Sequence, residues 1–216
     1  MLIVGAKGFA KEVLEVICQE RVPDNLAFFD DINPEVEGLV YNRFPILKND
    51  EAVRSYFKDV DNRFTIGIGG PVLRYNLSLK FMKLGGEFTS TISPKATIGI
   101  FGNSIGIGVN LMSGSVVTGS ISIGEGTLIN LNCTIGHDTL IGKYVEVSPG
   151  VSISGNCTIG DFCNIGTGAV ILPKVKLGRN VIIGAGAVVT KDISDNSLAI
   201  GVPASVVKNL EPLNIY

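Results

Sequence analysis

The chain has 216 residues, with 18 Lys and Arg against 20 Asp and Glu, for a net charge of −2. A hydrophobic fraction of 45% with only 18% charged residues excludes a disordered chain, which needs low hydrophobicity or strong net charge. It also excludes a nucleic-acid binder that works by bulk positive charge. Glycine is abundant at 27 residues, Trp is absent and His occurs once, so chemistry needing several histidines from one chain is ruled out.

Met1-Leu2-Ile3-Val4-Gly5 has no basic flank and no long apolar core, so it does not read as a secretory signal. No run of ~18 apolar residues predicts a membrane span. In chain order, Leu2–Val4 reads as a short buried strand and Gly5-Ala6-Lys7-Gly8 as a turn. Apolar residues at 9, 10, 13, 14 and 17 give a helix face from Phe9 to about Gln19. Leu26–Phe29 reads as a second strand ended by Asp30-Asp31. Asn49 reads as the cap of a helix through Phe57. Phe64–Ile68 is a third strand, followed by Gly69-Gly70-Pro71 and a helix to Leu84 that Gly85-Gly86 stops. Strands alternating with helices over residues 1–88 predict a small parallel α/β domain.

A Gly-rich turn between strand and helix presents backbone N–H groups at a helix N-terminus, a natural anion site. Here Lys7 stands where the dinucleotide fingerprint wants its second glycine. The turn therefore reads either as a phosphate or nucleotide-sugar loop, through Gly5, Lys7, Gly8 and Phe9, or as a tight packing turn. Asp30 and Asp31 end the second strand beside it. They either accept hydrogen bonds from a ligand's ribose or base, or form a solvated turn. Gly67, Gly69 and Gly70 end the third strand and would line the same crevice.

From Ile105, a step of six residues reaches Leu111, Val117, Ile123, Ile129, Ile135, Ile141, Val147, Ile153, Ile159, Ile165, Ile171, Leu177, Ile183 and Val189 without a break. The next position is glycine at 106, 124, 136, 142, 160, 166, 178 and 184. This pattern predicts a parallel β-helix, with one aliphatic residue per hexad pointing inward and glycine where the chain turns a corner. Three sides per coil need 18 residues, so 105–189 makes about five coils that bury their core by stacking. An earlier unit, Ile92 to Ile98, is one residue out of register, which an insertion near Ile100–Asn103 explains.

The single histidine, His137, follows Ile135-Gly136 and precedes Asp138. Its register places the side chain outward. It reads either as a general base with an adjacent orienting carboxylate or as an ordinary exposed residue. Cys133, Cys157 and Cys163 share the small inward position, so they read as inert core, and Cys18 lies on the first helix. The four cysteines lack metal-binding spacing, so a reduced, cytoplasmic setting is expected.

The hexads, Ile135-Gly136-His137-Asp138 and Gly201-Val202-Pro203-Ala204 resemble the left-handed β-helix acyltransferases. The leading Gly5-Ala6-Lys7-Gly8-Phe9-Ala10-Lys11-Glu12-Val13 narrows the resemblance to sugar acetyltransferases with a small N-terminal nucleotide-binding domain. That family includes sialic acid O-acetyltransferase relatives and N-acetyltransferases of nucleotide-linked 4-amino-sugars. The resemblance implies an α/β nucleotide-sugar domain over 1–88 and a left-handed parallel β-helix with its tail over 89–216. It implies acetyl-CoA as co-substrate, no metal, and a homotrimer with acetyl-CoA in the cleft between neighbouring β-helices. By resemblance, His137 is the base and Asp138 the acid beside it. Gly155 holds the thioester carbonyl, while Gly166, Thr167, Gly184 and Ala185 touch the pantetheine arm. Gly5, Lys7, Gly8, Phe9, Asp30, Asp31 and Gly69 form the nucleotide-sugar crevice.

Relatives often carry His where this chain has Phe9 and Glu146, and Asn where it has Gly70. The expected activity is N-acetylation of a UDP- or dTDP-linked amino-sugar for surface polysaccharide or glycan synthesis, with sugar or sialic acid O-acetylation as the alternative. A non-catalytic β-solenoid scaffold would be expected to show a flat threonine ladder, which this chain lacks. A zinc-dependent carbonic anhydrase of similar fold needs three histidine ligands around its metal, and even a trimer offers only copies of His137.

Overall fold

The computed structural model describes residues 1–215. Strands β1 (Leu2–Val4), β2 (Ala27–Phe29), β3 (Leu39–Val40), β4 (Phe44–Leu47), β5 (Arg63–Ile66) and β6 (Glu87–Phe88) form one sheet in the order β3-β4-β2-β1-β5-β6. All neighbours run parallel except β3 with β4. Helices α1 (Gly8–Ile17), α2 (Asp50–Asp59) and α3 (Pro71–Lys83) connect the strands. The period of two in β1 sorts its side chains between two layers. Ile3 packs with Ala10, Val13, Leu14 and Phe28 under α1. Leu2 and Val4 pack with Phe57, Phe64 and Phe81 on the opposite face.

The expected elements are present, with ends shifted by one or two residues, as helix termini commonly are. Asn49 caps α2 as expected, its Oδ1 accepting from Ala52 N at 2.9 Å. Strands β3, β4 and β6 were not anticipated. The segment Phe44-Pro45-Ile46-Leu47 carries a proline, which argues against a strand by itself, and it survives here beside the edge strand β3.

From Thr91 onward the chain winds as a three-sided solenoid of two-residue strands, β7 (Thr91–Ile92) through β23 (Val188–Val189). Three faces result. Face I runs from Thr91–Ile92 through Asn110–Leu111, Leu128–Ile129 and Glu146–Val147 to Ile182–Ile183. Face II runs from Thr97–Ile98 through Thr134–Ile135 to Val188–Val189, and face III from Ser104–Ile105 through Leu140–Ile141 to Lys176–Leu177. Partners such as Asn110, Leu128 and Glu146 stack in parallel register at intervals of 18 residues. The hexad aliphatics from Leu111 to Val189 are buried and form one continuous core. The extra residue lies where expected. Asn103 ties it down, donating to Gly99 and Thr118 carbonyls at 2.7 Å and accepting from Ile121 N at 2.9 Å. A hairpin of β24 (Ser197–Gly201) and β25 (Ala204–Asn209) closes the far end.

One expectation is corrected. The glycine after each inward aliphatic does not turn the corner, for none of those eight has positive φ. Left-handed backbone occurs two positions later, at every sixth residue from Gly102 to Gly186, and many of these are not glycine: Ser120, Asn132, Asp138, Tyr144, Asn156, Phe162, Lys174 and Asn180. The earlier glycines are required by stacking. A β-carbon on Gly160 would stand 2.6 Å from the backbone of Gly178 in the next coil, and one on Gly124 would stand 2.5 Å from Gly142.

The α/β unit lies against face I and the corners that flank it. Gln19 Nε2 donates to Ser113 Oγ at 2.7 Å, and Arg74 Nε donates to the Gly126 carbonyl at 3.0 Å. Tyr75 meets the stacked rings of Tyr144 and Phe162 edge-on. Burial pushes the Tyr144 phenol up to about 12, while its oxygen pairs with Ser78 Oγ at 2.8 Å. No helix among the described residues is long and apolar enough to cross a membrane.

Two predictions arise here. Gly160→Ala should cost ~2 kcal/mol or more, because two coils must separate. Gly168→Ala, at φ +69 with open space around it, should cost about 1 kcal/mol, and Gly168→Asn less. Denaturant unfolding of the three variants checks the order. Burial raises the Cys133, Cys157 and Cys163 thiols, the last to about 12. Burial also raises the Cys18 thiol, but Cys18 alone is partly exposed, so a colorimetric thiol titration should find only Cys18 reactive in the native protein and all four cysteines after denaturation.

Candidate active site

His137 and Asp138 sit at a corner between faces II and III, between Thr134–Ile135 and Leu140–Ile141. The corner requires left-handed backbone at its second residue, and Asp138 supplies it at φ 56, a conformation that Asp tolerates better than most residues. This turn brings the two side chains together. Asp138 Oδ2 lies 2.7 Å from His137 Nδ1. A carboxylate there accepts from Nδ1–H, so the Nε2 lone pair is left free to accept a proton. The imidazole side chain is 66% exposed and its partner 56%, so the pair stands on an outer edge of the prism rather than in a pocket of its own chain.

Gly155 occupies the same corner one coil on, and Asn156 N donates to the His137 carbonyl at 2.8 Å. A β-carbon on Gly155 would lie 2.6 Å from His137 Nε2. Glycine therefore leaves the space the imidazole fills. The Gly155 N–H has no acceptor among the described residues. The base, its orienting acid and a free N–H donor are thus within one small neighbourhood, which suits acyl transfer.

Gly166, Thr167, Gly184 and Ala185 lie elsewhere in the same chain. They form the corner between faces I and II, where successive coils stack so closely that a β-carbon on Gly166 would stand 2.6 Å from Ala185 N. Face II separates them from His137.

The third group meets at the carboxyl ends of β1, β2 and β5, where the strand order reverses at β1. Ligands characteristically bind at such a point in open α/β sheets. A crevice of about 300 Å³ is lined by Gly5, Lys7, Gly8, Phe9, Asp30 and Gly69. A neighbouring cavity of about 320 Å³ is lined by Phe29, Asp31, Ile32, Leu73, Leu77 and Lys80. Gly5 and Gly67 are steric necessities, since a β-carbon on Gly5 would lie 2.6 Å from the Ile68 side chain and one on Gly67 2.7 Å from Ala10 Cα, where α1 packs on β5. The N-terminus of α1 has no side-chain cap and no acidic residue in its first turn, so its N–H groups and positive dipole end are open to an anion.

Asp30 lines the crevice and is not a solvated turn. It is buried, and its Oδ1 accepts from Asn33 N at 2.9 Å and Ile32 N at 3.2 Å, while Asn33 Nδ2 donates to both oxygens. Burial opposes its ionisation, and these hydrogen bonds outweigh it, holding the carboxyl below its usual range. Asp31 pairs with Lys80 Nζ at 3.2 Å. Lys7 Nζ donates to Asn33 Oδ1 at 2.6 Å and Glu35 Oε1 at 2.7 Å. Asn33, Glu35, Ile68 and Lys80 were not singled out from the sequence, and Glu146 was noted only as a departure from relatives. Only their proximity in the fold joins them to the crevice. Among the described residues, no three His, Cys, Asp or Glu side chains converge on a possible metal site.

Comparison with known proteins agrees with this architecture. Residues 1–81 match the PglD N-terminal domain. Residues 132–160 match the hexapeptide repeat of succinyl-transferase, and residues 156–191 the bacterial transferase hexapeptide of six repeats. No curated protein sequence matched. Among solved structures, WeeI from Acinetobacter baumannii AYE is 32% identical, with 95% of this chain and 98% of that chain covered at a TM-score of 0.86. The acetyltransferase domain of PglB from Neisseria gonorrhoeae FA1090 is 30% identical over 95% and 98%, with a TM-score of 0.87. PerB from Caulobacter crescentus, solved with CoA and GDP-perosamine, is 29% identical over 96% of both chains, with a TM-score of 0.87. The chain belongs to the left-handed β-helix sugar acetyltransferases, which join a PglD-type N-terminal domain to a hexapeptide-repeat solenoid.

Proposed function

We propose that the protein transfers the acetyl group of acetyl-CoA to the amino group of a nucleotide-linked amino-sugar, on a route to surface polysaccharide or glycan. The observation that carries this reading is the His137–Asp138 pair beside the Gly155 N–H, in a chain that also holds a nucleotide-type crevice. The Caulobacter relative, a perosamine N-acetyltransferase, was solved with both CoA and GDP-perosamine.

The proposed chemistry is direct transfer. The neutral sugar amine attacks the thioester carbonyl carbon, and the Gly155 N–H donates to the oxygen as negative charge develops on it. His137 Nε2 takes the proton the amine sheds, with Asp138 stabilising the imidazolium. As the tetrahedral adduct collapses, the new C–N bond stays, the C–S bond breaks and the departing thiolate receives the proton. In the acceptor domain, residues 1–88, the sugar-linked diphosphate is assigned to the open N-terminus of α1 through Gly5, Lys7, Gly8 and Phe9. Gly69 lines the crevice and Asp31 the cavity beside it, and Asp30 shapes the crevice by holding the Asn33 turn.

The topology favours assembly as a homotrimer. Each chain's own acceptor domain covers face I, whereas His137 projects from the edge opposite that face. The corner assigned to the pantetheine arm, through Gly166, Thr167, Gly184 and Ala185, lies on a different edge again. A cleft between two copies would unite the edge bearing His137 and Gly155 of one with the second corner of its neighbour. Leu140 is 54% exposed and Phe101 76%, and both flank the His137 edge, apolar surface that a second copy would cover. The four unpaired cysteines and the two cytoplasmic co-substrates favour a cytoplasmic enzyme.

Acetyl-CoA consumption should be measured against UDP-, dTDP- and GDP-linked 4-amino-sugars and free sialic acid. The expected outcome is turnover of one nucleotide-linked amine, with the product's amide identified by mass spectrometry. Turnover of sialic acid alone would establish O-acetylation instead. His137→Ala should lower kcat by about two orders of magnitude or more without loss of fold. Asp138→Asn should lower it by a smaller factor, and near wild-type turnover in His137→Ala would remove His137 from the mechanism. Light scattering should give a mass three times that of the 22.8 kDa chain.

A further inference from the structure

The wall of the crevice formed by Gly67–Gly70 is held from outside its own domain. The Gly70 N–H donates to Glu146 Oε2 at 2.5 Å, across 76 residues of sequence. Gly70 is the N-cap of α3, with φ 88 and no side-chain cap of its own, and Pro71 follows it. Glu146, on face I of the solenoid, therefore supplies the carboxylate that the positive end of this 13-residue helix lacks. A β-carbon on Gly69 would stand 3.2 Å from both Glu146 oxygens, so the carboxylate lies directly behind this crevice-lining residue.

Arg74 grips the same loop from below. Its guanidinium is fully buried and donates to the carbonyls of Ile66 at 3.1 Å and Ile68 at 3.0 Å, and to the solenoid's Gly126 carbonyl at 3.0 Å and Asn110 Oδ1 at 2.6 Å. The end of β5 and the loop after it are thus fixed to the solenoid at both flanks.

We infer that Glu146 is a positioning residue for acceptor binding: through the Gly70 N–H it sets the β5–α3 wall of the crevice. Its charge also fills the N-terminus of α3, which leaves the N-terminus of α1 as the crevice's open anion end and so sets which way a diphosphate lies. This rests on the reading of the crevice as the acceptor site. It adds the residue through which the solenoid controls that site.

The test uses UDP, dTDP and GDP, each titrated calorimetrically into the full-length protein, with CoA titrated in parallel. In Glu146→Ala, the diphosphate that the wild type binds best should lose about tenfold in affinity, the loss expected when a partly buried hydrogen bond to a charged group is removed. Glu146→Gln keeps an acceptor oxygen in place and should recover most of that loss. Glu146→Asp keeps the charge on a shorter side chain, pulls back from Gly70, and should resemble the alanine variant, which guards against an alanine variant that fails to fold. CoA affinity should be unchanged in all three. The inference is overturned if Glu146→Ala and Glu146→Asp bind the diphosphate within about twofold of wild type. It is equally overturned if diphosphate and CoA affinities fall together, which would mark a general loss of structure. A wild type that binds none of the three diphosphates would refute the crevice reading itself, and the role of Glu146 with it.

Discussion

Coil stacked directly on coil at 18-residue intervals is the constraint on which the rest of the molecule depends. Each inward aliphatic rests on its counterpart one turn away, so the three edges repeat the same backbone path. At each corner the second residue is left-handed, and the residue before it is displayed outward. His137 occupies one of these display positions and Gly155 the equivalent one a coil later. Their approach is therefore set by the stacking interval itself, without a dedicated loop. A rigid repeating wall is a sound place for the proposed base, which must hold one geometry.

Left-handed backbone is costly for large side chains, yet Tyr144 and Phe162 adopt it at φ 50 and 60. Both stand at the corner between faces III and I and stack on each other against Tyr75 of α3. Burial of three aromatic rings offsets the local strain, and the same contact seats the N-terminal α/β unit on the solenoid. Arg74 follows a similar logic. A guanidinium removed from water is costly unless every donor direction is met, and burial lowers its pKa to about 10. Carbonyl and amide oxygens from both units answer it, which makes this residue a poor choice for a loose linker and a suitable one for fixing two units at a set angle.

The solenoid was legible because its signal is long: an unbroken period of six has few competing explanations. The corner geometry was not, because a glycine needed for close stacking and a glycine needed for positive φ look alike in a sequence. The pairing of His137 with Asp138 could be read, since adjacent residues at a corner meet locally. In the α/β unit, the strands with strong apolar runs were visible, whereas β3, β4 and β6 are short and owe their existence to the neighbours they pair with. Asp30 was ambiguous because a turn acid and a ligand-binding acid share the same sequence context, and only its hydrogen bonds to Asn33 and Ile32 separate the two. Glu146 was visible only as a departure from relatives. Its contact with Gly70 spans 76 residues, and no local pattern encodes so distant a meeting.

The placement of the two units has a consequence for catalysis. A three-sided prism whose first face is covered by the N-terminal unit leaves the opposite edge as the point farthest around the prism from that unit, and His137 is on it. Bending one protomer so that its own crevice reached its own imidazole would require the domain to leave face I. That motion would expose the Tyr144–Phe162 stack and strip the Arg74 guanidinium of its solenoid acceptors. In the proposed trimer, a second copy alongside would bring its crevice to the edge at no such cost, and the exposed Phe101 and Leu140 would be buried there. In the proposed trimer, the interactions that fix the N-terminal unit to its own solenoid would direct it to serve a neighbour's base. The stiffness of the Arg74 and Glu146 contacts is what would let that alignment pass from one chain to the next.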